Sequence, residues 1–231
     1  MTMEARTVFD ACKITTLTFD CYGTLIDWEA GACRALRDIY GYDPSDVTDD
    51  ALIDLFLRTE ARLIREDIFP YAAVLQRVAR SVAQTFGVES NAAREASFAA
   101  SLPGWPAFEE TARCLTRLAR DYRLAIVSNV DDEPLARTVQ HLGVPFDVLV
   151  TSEQTRSYKP NLAIFASALA LIGEAPGSIV HIAEGRCEAA PARAVGMRSI
   201  WVNRSARSDD GSNAQPDAVV ASLTELVQAI S

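Results

Sequence analysis

Asp20 ends a short β-branched and apolar run, residues 15–19, and is followed by Cys21-Tyr22-Gly23-Thr24. A carboxylate is costly to bury there without a partner. It could simply cap the following turn, where aspartate is common. Three other segments argue for more: Ser128-Asn129, Tyr158-Lys159-Pro160 and Glu184-Gly185-Arg186-Cys187-Glu188, each at or shortly after the end of another apolar run. A lysine beside Asp20 would keep it ionised. Ser128 and Asn129 would supply hydrogen-bond donors to a carboxylate or an oxyanion. Each residue is weak evidence alone; together they form a catalytic layout centred on Asp20.

The elements that must bring these residues together are legible as strands and helices. Five runs (15–19, 123–128, 147–151, 179–183 and 198–202) are apolar, β-branched and bounded by turn signals, the pattern of buried parallel strands. Segments 109–119, 134–142, 162–172 and 188–195 have helical spacing, and glycines 143, 173 and 196 end the last three. This alternation predicts an α/β fold with a doubly wound parallel sheet. Ligands of such sheets bind outside the carboxyl ends of the strands, where all four segments fall.

Between the first two strands the rhythm breaks. Residues 29–102 carry only helical periodicity, with Leu52, Phe56, Leu63 and Ile64 on one stripe and Val74, Leu75, Val78 and Val82 on another. We expect a helical cap over 29–103, inserted into a core made of 1–28 and 104–231, with the chain returning through Leu102-Pro103-Gly104-Trp105-Pro106. Polar residues 205–216 should form a surface loop. Trp28, Phe69 and Tyr71 could line an apolar pocket at the seam, or serve only as core.

Phe-Asp-Cys-Tyr-Gly-Thr-Leu at 19–25, Ser128-Asn129, Tyr158-Lys159-Pro160 and acidic segment 184–188 resemble, in order, the four motifs of the haloacid dehalogenase (HAD) superfamily. The resemblance spans nearly the whole chain, inserted cap included. It implies a Rossmann-like core, attack by Asp20, and an ester intermediate that water later hydrolyses. Homodimers are common among such proteins, and a homodimer is a possible state here.

Tyr22 narrows the chemistry. HAD phosphatases usually carry a second aspartate two residues after the nucleophile, because an alkoxide leaves poorly until protonated. An unperturbed phenol titrates near about pH 10 and is a poor substitute. Asp-x-Tyr-Gly-Thr instead resembles the 2-haloacid dehalogenase branch, in which a halide leaves unprotonated. Asp20 would then attack C2 of a small 2-substituted carboxylate. The run Asp-Cys-Tyr-Gly-Thr-Leu-Ile-Asp-Trp also resembles azetidine-2-carboxylate hydrolase, in which a protonated ring amine would leave. A Mg²⁺-dependent phosphatase and a non-catalytic binding protein on the same scaffold are the remaining readings.

The expected catalytic residues are Asp20, Lys159, Ser128, Glu188 and Glu184; the expected substrate contacts are Tyr22, Thr24, Trp28, Asn129 and Arg58. Arg58 is the nearest match to the branch's cap arginine, with a solvated helix charge paired to Glu60 as the plain alternative. The fourth motif departs from the branch: Ala183, Gly185 and Glu188 stand where serine, asparagine and aspartate are typical, and Phe165 where a tyrosine is. Glu184 or Glu188 must therefore place the hydrolytic water, or the substrate differs. No cofactor is expected. Mg²⁺ would enter only under the phosphatase reading, held by Asp20, Glu184 and Glu188. His141 and His181 are too isolated to suggest zinc, and His181, in mid-strand, reads as a hydrogen-bonded core residue.

Composition sets the outer bounds. The 231 residues carry 22 Lys and Arg against 31 Asp and Glu, a formal charge of −9. That surface repels nucleic acid and anionic lipid, leaving a small-molecule carboxylate as the expected partner, and it requires a local positive pocket. Five cysteines without ligand spacing, no apolar leader at the amino terminus and no spanning-length apolar run fit a cytoplasmic protein with free thiols.

Overall fold

The computed structural model describes residues 14–66, 70–206 and 215–230. Phe69 and Cys12, and most of the expected loop 205–216, lie outside the described residues. Six strands, β1 (Thr16–Phe19), β2 (Arg123–Ser128), β3 (Val148–Thr151), β4 (Ile179–Ala183), β5 (Arg198–Val202) and β6 (Ala218–Val220), form one sheet in the order β3-β2-β1-β4-β5-β6. Every neighbouring pair is parallel. β1 is fully buried between β2 and β4, with Phe19 in register with Ile126 and Ile182. The chain moves outward from β1 in both directions, so the strand order reverses there, and the crevice at its carboxyl end opens beside Asp20.

The helical insert comprises α1 (Trp28–Tyr40), α2 (Asp49–Arg65), α3 (Tyr71–Thr85), α4 (Ala92–Ser101) and a 3₁₀ turn, Leu102–Gly104. Local side chains start three of its helices: Asp27 accepts from Ala30 N, Thr48 from Ala51 N and Asn91 from Arg94 N. α3 follows Pro70, which has no side-chain acceptor to offer. Its first amides are met from the core instead, Tyr71 N and Ala72 N each donating to a different Asp131 carboxylate oxygen at 2.9 Å. Leu52, Phe56 and Leu63 on α2, and Val74, Leu75, Val78 and Val82 on α3, are buried as the periodicity predicts. The segments leaving and re-entering the core pair with each other: Asp27 N donates to Pro106 O at 2.8 Å and Phe108 N to Leu25 O at 3.2 Å. Beside this seam Trp105 packs against α1 so closely that a Cβ on Gly31 would fall 2.4 Å from its ring.

The remaining helices are α5 (Thr111–Leu118), α6 (Asp132–Leu142), α7 (Ser152–Thr155), α8 (Leu162–Ile172), α9 (Ala189–Ala194) and α10 (Leu223–Ile230). Two differences from the sequence expectation concern the chain's end. β6 is too short, at three residues, to show a periodicity, and α10 follows it directly. A third concerns residue 188, expected to open a helix; Glu188 is buried in the 3₁₀ turn Arg186–Glu188 that precedes α9. Cys21, Cys33, Cys114 and Cys187 are free thiols. No helix among the described residues is long and apolar enough to cross a membrane.

Candidate active site

Asp20 is held on both carboxylate oxygens. Lys159 Nζ donates to Oδ1 at 2.5 Å, and Thr24 Oγ1 donates to Oδ2 at 2.8 Å. Each oxygen keeps a second lone pair. Thr24 is fixed in turn: its hydroxyl accepts from Glu184 N at 2.8 Å, and its carbonyl accepts from Arg204 at 2.8 Å. Arg204 also pairs with Glu110 at 2.6 Å and lies over the Phe108 ring, 3.7 Å from its centroid. The turn between Asp20 and Thr24 needs Gly23 at φ 104°, a conformation that a side chain would strain.

Lys159 is shared. Its ammonium lies 2.9 Å from Glu188 Oε2, and that oxygen also meets His181 Nε2 at 3.0 Å. The other ring nitrogen of His181 is hydrogen-bonded to Thr18 Oγ1 at 2.9 Å, and Phe165 packs edge-on to the ring. A chain of contacts thus runs from β1 and β4 through Glu188 to the ammonium. Asn129 secures the backbone of Lys159: its side-chain oxygen accepts from Lys159 N at 2.6 Å and its amide donates to Lys159 O at 3.4 Å.

Burial disfavours every charge in this cluster. It pushes the Asp20 carboxyl above the ordinary aspartate range, against the pull of Lys159, and the Glu188 charge adds to the rise. At Glu188 the order reverses: burial raises it, but Lys159 and His181 outweigh burial and hold it below the ordinary glutamate range. Lys159 is penalised by burial too, yet Asp20 and Glu188 together raise its pKa. The ammonium stays charged.

Asp20, Ser128, Lys159, Glu184 and Glu188 line one cavity of about 200 Å³, together with Tyr22, Trp28 and Asn129. Helical-insert residues Phe56, Glu60 and Tyr71 also line it. Burial pushes the Tyr22 phenol well above its usual value, and its hydroxyl is 2.7 Å from Thr138 Oγ1 on α6. Thr138 already donates to Pro134 O, so Tyr22 donates to Thr138 and presents its ring to the cavity.

Three expected substrate contacts are placed differently. Thr24 is fully buried behind Asp20 and does not line the cavity. It positions the carboxylate. Asn129 does line the cavity, but both ends of its amide serve the Lys159 backbone. Arg58 does not reach the cavity; it pairs with Asp54 at 2.9 Å, its side chain 77% exposed. Asp54, one helical turn back, displaces the pairing with Glu60 that the sequence suggested. The oxygen-rich metal site that the phosphatase alternative would need from Asp20, Glu184 and Glu188 does not fit either. The Lys159 ammonium bridges Asp20 and Glu188, and no cluster of three or more His, Cys, Asp or Glu among the described residues could hold a metal ion.

Glu60, Asp131 and Arg204 were not singled out as site residues by sequence reasoning. Glu60 accepts the hydroxyl hydrogen of Tyr71 on the cavity wall. Burial raises its carboxyl, and it is near enough to be influenced by Asp20 and Lys159. Its only signal was the spacing of four residues from Phe56, which puts both on one helix face.

A parallel sheet with its switch point at a buried carboxylate–lysine pair, beneath a helical insert, defines a doubly wound, Rossmann-like α/β scaffold. The chain belongs to the haloacid dehalogenase-like hydrolases, whose family model matches residues 14–196. It is 24% identical to the (S)-2-haloacid dehalogenase of Pseudomonas sp. (strain YL) over 220 residues, 93% of this chain and 94% of that one. It is 22% identical to the N-acylneuraminate-9-phosphatase of Mus musculus over 236 residues, 93% of this chain and 92% of the relative. The L-2-haloacid dehalogenase of Xanthobacter autotrophicus superposes with a TM-score of 0.81 at 20% identity, covering 94% of this chain and 98% of the other. That likeness establishes the shared fold.

Proposed function

We propose that the protein is a hydrolase of the 2-haloacid dehalogenase type. An Asp20 oxygen attacks C2 of a small 2-substituted carboxylate; the C2–halogen bond breaks and its electron pair departs as halide. Water then adds to the Asp20 carbonyl carbon of the ester. The C–O bond between the Asp20 carbonyl and substrate oxygen breaks, releasing a 2-hydroxy acid. Asp20 is regenerated with one oxygen from water, and one proton is released.

The observation that carries this reading is Tyr22 donating to Thr138. Two residues beyond the nucleophile, where an alkoxide leaving group would need an acid, stands a phenol whose burial raises its pKa and whose proton is engaged elsewhere. Halide needs no proton. Lys159 steadies the nucleophile, and Ser128 faces the same cavity as a donor for the substrate carboxylate. Glu188 holds Lys159, and Glu184, also on the cavity wall, is the carboxylate we assign to take a proton from the hydrolytic water. Two hydrogen bonds to Glu184's own backbone fix its place: its N–H to Thr24 and its carbonyl to Trp201 Nε1 at 2.8 Å.

A second reading, ring opening of L-azetidine-2-carboxylate, is favoured by the cavity's excess of carboxylates, which suits a protonated ring amine. The same excess opposes a phosphate dianion. The deciding experiment is a panel of 2-haloacids, L-azetidine-2-carboxylate and phosphate monoesters, each with Mg²⁺ and with EDTA. We expect EDTA-resistant halide release or ring opening, abolished by Asp20→Asn, and one ¹⁸O from labelled water on Asp20 after a single turnover. Turnover of phosphate esters alone, dependent on Mg²⁺, would refute the proposal.

A further inference from the structure

The cavity described above is the wrong electrostatic shape for a plain monoanion. Five carboxylates line it: Asp20, Glu29, Glu60, Glu184 and Glu188. Lys159 is the one cationic side chain among the described lining residues, and it is already bound to two of those carboxylates. An incoming anion therefore meets a lining in which carboxylates outnumber cations, and like-charge repulsion opposes it. A substrate with a compensating positive charge meets the opposite field.

The helical insert contributes one of these carboxylates in a setting built for such a charge. Glu60 comes from α2, and its carboxylate is fixed by the Tyr71 hydroxyl from α3. Tyr71 is placed by the core, since its backbone N–H caps onto Asp131, two residues beyond Asn129. The same lining includes the rings of Trp28, Phe56 and Tyr71, with Trp28 packed on Phe56 at a centroid separation of 5.0 Å. An oriented carboxylate in a cavity that also presents aromatic rings is a favourable setting for an ammonium group, through a charge-assisted hydrogen bond and cation–π attraction.

We propose that Glu60 is the specificity-determining residue of this site, pairing with a cationic nitrogen that the substrate carries near the carbon attacked by Asp20. This rests on the nucleophilic reading of Asp20 above and extends it to the substrate's second charge. The substrate class is then a small zwitterion bearing both an amine and a carboxylate, rather than a simple halogenated acid. Tyr71 is a positioning residue, acting through Glu60.

The test uses two near-isosteric substrates, 3-amino-2-chloropropanoate and 2-chlorobutanoate, which differ by an ammonium in place of a methyl group. Chloride release by the intact protein should favour the amine at least tenfold in kcat/KM. Glu60→Gln should collapse that ratio toward one, chiefly through the KM of the amine. Tyr71→Phe should raise the same KM with a smaller effect on kcat. In parallel, calorimetry with 3-aminopropanoate and butanoate reads recognition without chemistry. The amine should bind at least tenfold tighter, and Glu60→Gln should erase the difference. Equal turnover or equal binding of the two partners by the unaltered protein overturns the Glu60 proposal. A ratio unaffected by Glu60→Gln also overturns it, while leaving Asp20 catalysis standing. Tighter amine binding lost in Glu60→Gln, with no chloride release from either substrate, would support Glu60 and count against dehalogenation instead.

Discussion

Glu188 Oε2 lies 2.9 Å from Lys159 Nζ, and this pair carries the ammonium to within 2.5 Å of Asp20. One buried cation thus serves two carboxylates of unequal burden. Glu188 has two supporting cations or donors, Lys159 and His181, and its pKa falls; Asp20 has burial and a neighbouring negative charge against it, and its pKa rises. Burial and the Glu188 charge thus destabilise the Asp20 anion, which suits the nucleophilic role proposed for it.

Replacing Lys159 with Met should leave Asp20 and Glu188 buried without their shared cation. Breaking a buried pair this way costs about 3–5 kcal/mol. We predict a lower denaturation midpoint, partly recovered in acid as the carboxylates protonate, and a loss of about 10²–10³-fold in kcat. Urea titration at two pH values with steady-state kinetics checks both. An unchanged midpoint at neutral pH would mean the pair contributes nothing to stability.

Glu188→Gln separates charge from shape. Asp20 must be ionised to attack, and the Glu188 charge is one of the causes that raise its pKa. Removing that charge lowers the Asp20 pKa, so the acid limb of kcat/KM should move to lower pH. The pH–rate profile of the variant reads this directly, and a shift upward would contradict the assignment.

Asp131→Ala removes the acceptor for two amides at the start of α3. Losing a helix cap costs about 0.5–2 kcal/mol, and here the cap also links the insert to the core. We expect that loss in thermal or urea unfolding, together with a higher KM, because Tyr71 is held by the same contact. Asp131→Asn, which keeps one acceptor oxygen, should recover part of both.

Gly31→Ala probes the seam. The added methyl would sit 2.4 Å from Trp105, which lines the cavity and packs edge-on to Tyr22. Overpacking of this kind costs about 1–3 kcal/mol. A lower melting temperature and a shift in tryptophan fluorescence are expected; a silent substitution would show that α1 can move away freely.

The local pattern went far in this chain. Residues 123–128, 179–183 and 198–202 were legible as strands to the residue, because a buried parallel strand is a continuous apolar run bounded by turns. The positions of Asp20, Ser128 and Glu184 followed from that, each fixed by its place at a strand end. Lys159 was legible from its type and setting, though not the sharing of its ammonium with Glu188. Arg58 shows where the pattern misled. A helix turns by about 100° per residue, so Arg58 and Glu60 point to roughly opposite sides of α2, and the choice between them is one of phase. That phase is set by Phe56 and Leu63 packing inward, which residue type alone does not announce for a charged neighbour.

What the sequence determined by itself is therefore the scaffold and the carboxylate at the end of its central strand, since both arise from short-range pattern and strand order. What only the tertiary structure decided is how the charges divide. Glu188 could be placed on Lys159, Glu60 on Tyr71 and Asp131 under α3 only once residues 11 to 60 positions apart were brought into contact. Hydrogen bonds and ion pairs act over a few ångströms, and sequence separation carries almost no information about them.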